Sequence, residues 1–221
     1  MTYVALIPAR GGSKRLPRKN IIDFLGKPII VHTIEAALQA GCFSRVVVST
    51  DDLEIAQIAK LNGAEVSMRD SLLSSDNATV LDVCNDFLNM NQDVDVLVVL
   101  YATSPLRNSM DIKEVINLLD TECHFSMAVC CPEIPVHQVM YYNESSLKPV
   151  FSELINFRAE LAPAFAIDNG STYAFHVKNF NQEQTFYGST LKGYLMPRDR
   201  SVDIDTYFDY PCALAYAQAE D

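Results

Sequence analysis

A short segment near the start of the chain combines glycines with a high density of positive charge. It runs from Ile7 to Asn20 with the sequence IPARGGSKRLPRKN. Five of the chain's 17 lysine and arginine residues lie in it, namely Arg10, Lys14, Arg15, Arg18 and Lys19. Glycines let backbone N–H groups approach an anion closely, and Lys and Arg side chains neutralise it through charge-assisted hydrogen bonds. The segment, called here the phosphate loop, therefore predicts a site for a triphosphate.

The spacing of the phosphate loop differs from the two common phosphate-binding fingerprints. It fits neither G-x-x-x-x-G-K-[ST] nor G-x-G-x-x-G, so the sequence indicates neither a standard P-loop nor a dinucleotide-binding loop. A basic loop is also compatible with an ordinary solvated surface, and charge density alone leaves that alternative open.

Two carboxylates near the end of the chain have the spacing of a metal site. Asp203 and Asp205 are two residues apart in a segment predicted to be extended, so their side chains should project from the same face. Adjacent carboxylates repel each other, and a hard divalent cation such as Mg²⁺ relieves the repulsion while bridging to a phosphate. The alternative is that Asp205 or Thr206 caps the last helix.

These two features belong to a longer series of motifs. The phosphate loop reads A-R-x-x-S-K-x-L-x-x-K-N from Ala9 to Asn20. It is followed in order by VSTD at 48–51, Arg69, TSPLR at 103–107, NG at 169–170 and VDIDT at 202–206. In this series the chain resembles the acylneuraminate cytidylyltransferases, the family of CMP-sialic acid synthetase, over nearly its whole length. The resemblance implies a cytoplasmic enzyme that joins CTP to an acidic nine-carbon sugar with Mg²⁺ as cofactor.

The resemblance also implies roles for individual residues. The nucleotide-binding positions are Ala9, Arg10, Gly12, Ser13, Lys14, Lys19 and Asn20, with Arg69 and Thr79 near the cytosine. The implied catalytic residues are Arg10, Lys19, Asp203 and Asp205, and the two aspartates are the implied Mg²⁺ ligands. Lys19 is best placed to stabilise charge that develops near the α-phosphate. A surface arginine and an ordinary helix residue are the alternatives for Arg69 and Thr79.

The sugar side of the site is implied by the two turns of the motif series. The sugar-binding positions are Tyr101, Thr103, Ser104, Arg158, Asn169 and Gly170. Arg158 lies seven residues before Phe165, where related sialic acid enzymes carry an arginine ahead of a similar Leu-x-x-Phe stretch, and the resemblance implies that Arg158 pairs with the sugar carboxylate. A surface salt bridge is the alternative for this arginine.

Two departures from the sialic acid enzymes bear on the sugar. Tyr101 stands where those enzymes carry a glutamine before the Thr-Ser-Pro turn. Residues 166–168 (AID) replace an arginine just before the Asn-Gly turn. Leu-Tyr-Ala-Thr-x-Pro is similar to the enzymes for pseudaminic or legionaminic acid, so a sialic-like sugar is favoured over sialic acid. The alternatives are a cytidylyltransferase for the eight-carbon acid of lipopolysaccharide (KDO) and a non-catalytic nucleotide-sensing protein.

Apolar periodicity predicts the elements that position these residues. Strands are predicted at 3–8, 45–50, 64–68, 95–100, 125–131, 172–177, 193–196 and 201–204. Helices are predicted from Pro28 to Gly41, from Asp51 or Asp52 to Asn62, over 78–90, from Asp111, and from Tyr207. The first should bury Ile30, Ile34, Ala37 and Leu38 on one face. Asp76 is the predicted cap of the helix over 78–90. Such alternation is typical of a three-layer α/β/α, Rossmann-like fold with a mostly parallel sheet.

The alternation fails over 132–165, where four prolines lie. We expect a single domain over 1–221, in which 132–165 is an insertion that covers the site or joins two subunits of a homodimer. A surface meander is the alternative.

Composition restricts the partners. A net charge of −11 disfavours nucleic acid and anionic membranes. The longest apolar stretch, Val96–Ala102, is too short to cross a bilayer, and an apolar strand without a signal-like segment at the N-terminus favours the cytoplasm. The six cysteines form no C-x-x-C pair and are expected to be reduced and buried. Scattered histidines (32, 124, 137 and 176) argue against a His/Cys metal site.

Overall fold

The computed structural model describes residues 1–158 and 161–219. The strands are β1 (Tyr3–Pro8), β2 (Asp23–Phe24), β3 (Lys27–Pro28), β4 (Arg45–Thr50), β5 (Glu65–Met68), β6 (Val96–Leu100), β7 (Phe125–Cys130), β8 (Met140–Asn143), β9 (Ser146–Pro149), β10 (Ile167–His176) and β11 (Leu191–Leu195). The α-helices are α1 (Ile29–Ala40), α2 (Leu53–Leu61), α3 (Val80–Met90), α4 (Ser109–Asn117), α5 (Val177–Glu183) and α6 (Asp209–Ala219).

Seven strands form the central sheet in the order β11-β7-β10-β6-β1-β4-β5. All neighbours in this sheet are parallel except β10, which runs antiparallel to both β6 and β7. The predicted mostly parallel sheet is therefore confirmed. The carboxyl ends of β1, β4 and β6 meet at one edge, where ligands bind in open α/β sheets.

Helices cover both faces of the sheet, so β1 is buried on both sides. Ala5 and Ile7 pack against α1, α2 and α4, whereas Val4 and Leu6 pack against α3 and α5. A strand buried on both faces has a continuous apolar sequence, which explains why β1, β4 and β6 were recognisable from the sequence. The result is the three-layer arrangement that the alternation predicted.

Helix ends follow local capping chemistry. Gly41 ends α1 in the left-handed conformation with φ of 65°, and Asp52 caps α2 by accepting from the backbone N–H groups of Glu54 and Ile55. The prediction that Asp76 caps the third helix is wrong, because Thr79 forms a capping box with Asp82. The fourth helix is capped by Asn108 rather than beginning at Asp111.

The predicted strand at 201–204 is wrong, since this segment is irregular. Its backbone is held instead by tertiary contacts: the Ile204 N–H donates to the Thr103 carbonyl at 2.8 Å, and the Ile204 side chain is buried against Phe24, Ile29 and Ala213. The strand predicted from residue 172 begins at Ile167, with an irregular register on the side facing β7.

Two burial predictions were partly wrong. In α1, Ile30, Ile34 and Ala37 are buried as expected, but Leu38 is exposed to solvent. All six cysteines are free thiols, but only three are buried. The exposed cysteines are 42, 131 and 212.

Residues 132–165 include a two-stranded hairpin, β8–β9, that forms a sheet of its own. Its residues Tyr142 and Leu147 are 74% and 64% exposed. An isolated hairpin of this kind is marginally stable unless other structure packs on it. In the part of the chain described, no helix has the length and apolar character needed to span a membrane.

Candidate nucleotide and sugar site

The phosphate loop follows β1 and opens onto a cavity of about 290 Å³, called here the first cavity. Residues from five separate segments line it, among them Arg10, Ser13, Lys14, Lys19, Asn20, Arg69, Thr79, Tyr101, Thr103 and Asp205. The fold thus brings together most of the sequence-predicted nucleotide positions with one of the two carboxylates. Ala9 and Gly12 do not line this cavity, and Ala9 is buried with its N–H donating to the Ser49 carbonyl.

The phosphate loop is anchored to the start of α2. The Gly11 N–H donates to Asp51 Oδ1 at 3.0 Å, and Arg18 forms ion pairs with Asp52 and Glu54. A Cβ at Gly11 would lie 2.5 Å from Asp52 Oδ2, so only glycine fits there. Asp51 therefore holds the loop, and Asp52 both holds the loop and caps the helix. The sequence predicted the cap but not the anchor.

Two cations of the loop are neutralised by Asp76. The Arg10 guanidinium donates to the Ser75 carbonyl at 3.1 Å and contacts Asp76 at 3.4 Å, and Lys14 forms an ion pair with the same carboxylate. The Lys14 hydrogen bond holds the pKa of Asp76 below its usual value. Sequence reasoning assigned Asp76 to a helix cap and missed this role, because the partners lie more than sixty positions apart.

Arg69 and Thr79 also line the first cavity but lie outside the phosphate loop. Arg69 follows β5, is partly buried, and its Nε atom donates to Ser74 Oγ at 3.0 Å. Burial lowers the pKa of Arg69. Thr79 lines the cavity and also caps α3.

Asp205 is paired with two cations of the phosphate loop. Lys19 Nζ lies 2.5 Å from Asp205 Oδ1, and Arg15 Nη2 lies 2.8 Å from Oδ2. Burial raises the pKa of Asp205, but the hydrogen bonds and charges of Lys19 and Arg15 outweigh it and the net pKa is lowered. This carboxylate is therefore held in its ionised form.

Asp203 has different surroundings. Its Oδ1 atom is buried and has no hydrogen-bond partner among residues 1–158 and 161–219. Burial raises the pKa of Asp203, the Thr103 hydroxyl opposes this by hydrogen bonding, and the charge of Asp205 adds to it. The two carboxylates thus interact, but they line different cavities, because the segment between them is not the regular strand that the i, i+2 argument assumed.

A second cavity of about 780 Å³ lies beside Asp203. The predicted Asn-Gly turn falls inside β10, at the irregularity in its register, and Asp168–Gly170 contribute to the lining together with residues of β7 and α6. Gly170 adopts φ of 66°, and a Cβ there would lie 3.3 Å from Asp203 Oδ2. The Asn169 side chain donates to Ser201 Oγ at 3.0 Å, so its amide supports the turn. Arg158 is exposed and lines neither cavity.

The turn after β6 is fixed by a buried arginine. Arg107 is 2% exposed and donates to the carbonyls of Tyr101 at 3.2 Å and Ser171 at 2.9 Å. Burial lowers the pKa of Arg107 to about 10. Ser104 Oγ donates to the Gly170 carbonyl at 3.4 Å. These bonds tie the end of β6 to β10, which sets the positions of the predicted sugar-side residues. Arg107 is part of the TSPLR motif, but the sequence predicts no role for it.

The fold and the cation-lined cavity at the carboxyl ends of its strands define a nucleotidyltransferase. A family model described as "Cytidylyltransferase" matches residues 4–219, and the chain belongs to this family.

The chain is similar to characterised relatives across nearly its whole length. It is 36% identical over 218 residues to a pseudaminic acid cytidylyltransferase of Campylobacter jejuni, covering 95% of this chain and 93% of the relative. It is 33% identical over 231 residues to a CMP-N,N'-diacetyllegionaminic acid synthase of Legionella pneumophila, covering 95% and 94%. The solved structure of a CMP:2-keto-3-deoxy-manno-octonic acid synthetase complexed with CTP superposes with a TM-score of 0.77 at 20% identity, covering all of both chains, and supports the fold.

The raised pKa of Asp203 predicts a pH-dependent effect on stability. Its folded-state pKa lies above that of the unfolded chain, so the ionised carboxylate destabilises the fold, in full above the folded pKa and not at all below the unfolded one. In Mg²⁺-free buffer we expect Asp203→Asn to melt at a higher temperature than the unmodified chain at neutral pH. The difference should vanish below the ordinary aspartate pKa of about 3.9.

The exposed residue Asp93 provides the matched control, since Asp93→Asn should leave the melting temperature unchanged across the same pH range. A lower melting temperature for Asp203→Asn at neutral pH would contradict the prediction, because it would mean that the carboxylate stabilises the fold.

Proposed function

We propose that this chain is a CMP-nonulosonic acid synthetase. It couples CTP to a sialic-acid-like sugar, giving the CMP-sugar and pyrophosphate, and pseudaminic or legionaminic acid is favoured over N-acetylneuraminic acid. The first cavity carries the proposal, since it joins the cations of the phosphate loop to Asp205 in one concavity. The names of the relatives support the substrate class. CTP is an intracellular nucleotide, so the proposed location is the cytoplasm and the proposed pathway is cell-surface polysaccharide synthesis.

The proposed reaction is an in-line displacement at the α-phosphorus. The anomeric hydroxyl oxygen of the sugar forms a bond to this phosphorus, the bond to the β-phosphate bridging oxygen breaks, and the hydroxyl proton is released. Positioning and charge neutralisation supply most of the rate enhancement in phosphoryl transfer. Arg10 and Lys14 would bind the triphosphate, and Ser13 and Asn20 would orient it with the loop backbone. Arg69 and Thr79 would lie at the cytosine end.

Lys19 would act at the reacting phosphate. Its side chain is 16% exposed, which makes it the least exposed lysine or arginine among the ion pairs of the loop. A charge in a poorly solvated position interacts more strongly with charge that develops in the transition state. Its partner Asp205 holds the ammonium group at the junction of the loop and the carboxylate segment.

Asp203 and Asp205 are the proposed magnesium ligands, although they line different cavities. The buried Oδ1 atom of Asp203 has no donor within the described ranges, and a carboxylate oxygen in this situation needs a cation or a proton. Asp205 is ionised and supplies a second oxygen donor, for which the cation would compete with Lys19 and Arg15. Asp203 and Asp205 would therefore hold Mg²⁺, whose chemistry is to neutralise phosphate charge.

The proposed dimer rests on the insertion 132–165. Its hairpin exposes Tyr142 and Leu147, which are paired across the two strands and so share a face, and such apolar side chains on an unsupported hairpin are typical of a surface that packs on another chain. Arg158 lies on the same segment and is exposed. Across a twofold interface it would reach the sugar carboxylate in the neighbouring subunit.

The function is tested by measuring pyrophosphate release with each of CTP, ATP, GTP and UTP against a panel of acids. We expect turnover with CTP and a nonulosonic acid carrying two acylamino groups, and far slower turnover with the other triphosphates. Equal rates with a purine triphosphate would contradict the cytidine assignment. A preference for KDO would favour the eight-carbon alternative, and no turnover with any acid despite CTP binding would favour a nucleotide-sensing protein.

Lys19→Ala tests the catalytic role of the loop. Loss of one charge-stabilising donor should lower kcat by roughly 10²-fold or more, because its interaction strengthens in the transition state. Lys192→Ala is the control, since Lys192 is also ion-paired, with Asp120 at 2.8 Å, but lies in neither cavity. A rise confined to the KM for CTP would show that Lys19 contributes only uniform binding.

Light scattering tests the dimer. At micromolar concentration we expect twice the mass of the 24.6 kDa chain, and the charged substitution Leu147→Asp should shift it to the monomer. Leu61→Asp, at an exposed position of α2 outside the insertion, is the control. A fully active monomer would contradict both the interface and the role of Arg158.

A further inference from the structure

A cluster of one carboxylate and two tyrosines lies beside the candidate catalytic residues. Asp168 accepts hydrogen bonds from the Tyr173 hydroxyl at 2.9 and 2.8 Å, from the Tyr187 hydroxyl, and from the Gly170 N–H at 2.9 Å. None of these bonds belongs to a helix or to pairing between strands. Tyr187 lies 19 positions from Asp168, so the contact depends on the tertiary fold.

The cluster connects the two cavities. Asp168 lines the second cavity together with Gly170 and Asp203. Tyr173 is buried, and its ring centroid lies 5.5 Å from that of Tyr101, which lines the first cavity. A sugar that presents its anomeric oxygen to a triphosphate in the first cavity, close to Asp203, would have this cluster as its neighbour.

The tyrosine hydroxyls of the cluster are restricted to accepting further hydrogen bonds. A phenol has one proton, and in Tyr173 and Tyr187 that proton is directed at Asp168. The bond to Asp168 raises the pKa of Tyr187 to about 12, so the proton stays in place at neutral pH. Tyr187 is 61% exposed, so its remaining lone pairs face solvent or a ligand. The surface formed by Asp168 and Tyr187 is therefore anionic and carries acceptors without donors.

We propose that Asp168 and Tyr187 orient the acidic sugar and select for hydrogen-bond donors on it. The sugar carboxylate is repelled from this surface and turned away from it, while amide N–H groups of the acylamino substituents donate to it. This makes Asp168 a specificity-determining residue, and the inference rests on the proposed function. A side chain with hydrogen-bond donors at position 168 would attract the sugar carboxylate instead and favour the opposite orientation of the acid.

The test compares Asp168→Asn and Tyr187→Phe with the matched control Tyr210→Phe. Tyr210 also donates from its hydroxyl, to the Asp23 carbonyl at 2.7 Å, but Asp23 lines neither cavity, whereas Tyr187 donates to Asp168 of the second cavity. Initial rates are measured with CTP and N,N'-diacetyllegionaminic acid or N-acetylneuraminic acid, and CTP binding is measured separately by calorimetry. Asn keeps the shape of Asp168 but removes the charge and adds donors. Tyr187→Phe removes one hydroxyl from an exposed ring and keeps the test valid if Asp168→Asn fails to fold.

We expect the KM for the diacylamino acid to rise about 10- to 100-fold in Asp168→Asn, the range for losing a hydrogen bond to a charged group. Tyr187→Phe should raise the same KM by a smaller factor, and CTP binding should be unchanged in both. The preference for the diacylamino acid over N-acetylneuraminic acid should fall, because a hydroxyl can turn to accept from the new amide whereas an N–H cannot.

Two outcomes overturn the inference while leaving the proposed function intact. One is an unchanged KM for the acid in both variants, and the other is an equal loss of CTP binding, which would mark Asp168 as a structural residue. If the unmodified chain turns over none of the acids, the proposed function fails and this inference fails with it.

Discussion

The ion pair between Lys19 and Asp205 joins two segments that lie 186 positions apart in the chain. Neither segment is part of a regular strand, so sheet pairing does not fix their separation. Asp205 is held from its own side by α6, since Asp209 accepts from the Asp205 N–H at 3.0 Å, and Ile204 anchors the segment in a small apolar cluster. The first cavity exists because the phosphate loop is tied at one end to this carboxylate and at the other to the start of α2.

The parts of the fold that the sequence predicted well are those with local causes. The bounds of β1 and β4 were predicted to the residue, because strands buried on both faces contain continuous apolar runs, VALI in β1 and VVV in β4. The error at 201–204 has the opposite origin. Its alternation of apolar and acidic residues is typical of a half-buried strand, but the Ile204 N–H is satisfied by Thr103 rather than by a neighbouring strand. A one-dimensional pattern does not say which partner satisfies a backbone group.

The same distinction divides the site. The motif series named most of the lining of the first cavity, because motif residues lie where strands end and the fold gathers those ends at one edge. What it missed are pairings between distant side chains with no spacing rule: Arg10 with Asp76, Arg107 with the Ser171 carbonyl, and Asp168 with Tyr187. The displaced cap at Asp76 has this cause as well. Asp76 and Thr79 are both suitable capping residues. Asp76 is paired with the loop cations instead, and Thr79 caps the helix.

The phosphate loop is basic in a chain of net charge −11, yet each of its cations has a carboxylate partner. Triphosphate binding to this loop, as proposed, would therefore be an exchange of anions. The pair of Lys14 with Asp76 is 74% and 51% exposed, and exposed ion pairs contribute little to stability, so a phosphate would displace Asp76 at little cost. The pair of Lys19 with Asp205 is only 16% and 34% exposed, and separating it leaves a poorly solvated carboxylate that needs another cation. If Lys19 acts at the phosphates as proposed, Asp205 would need another cation, and a divalent ion held there would neutralise its charge.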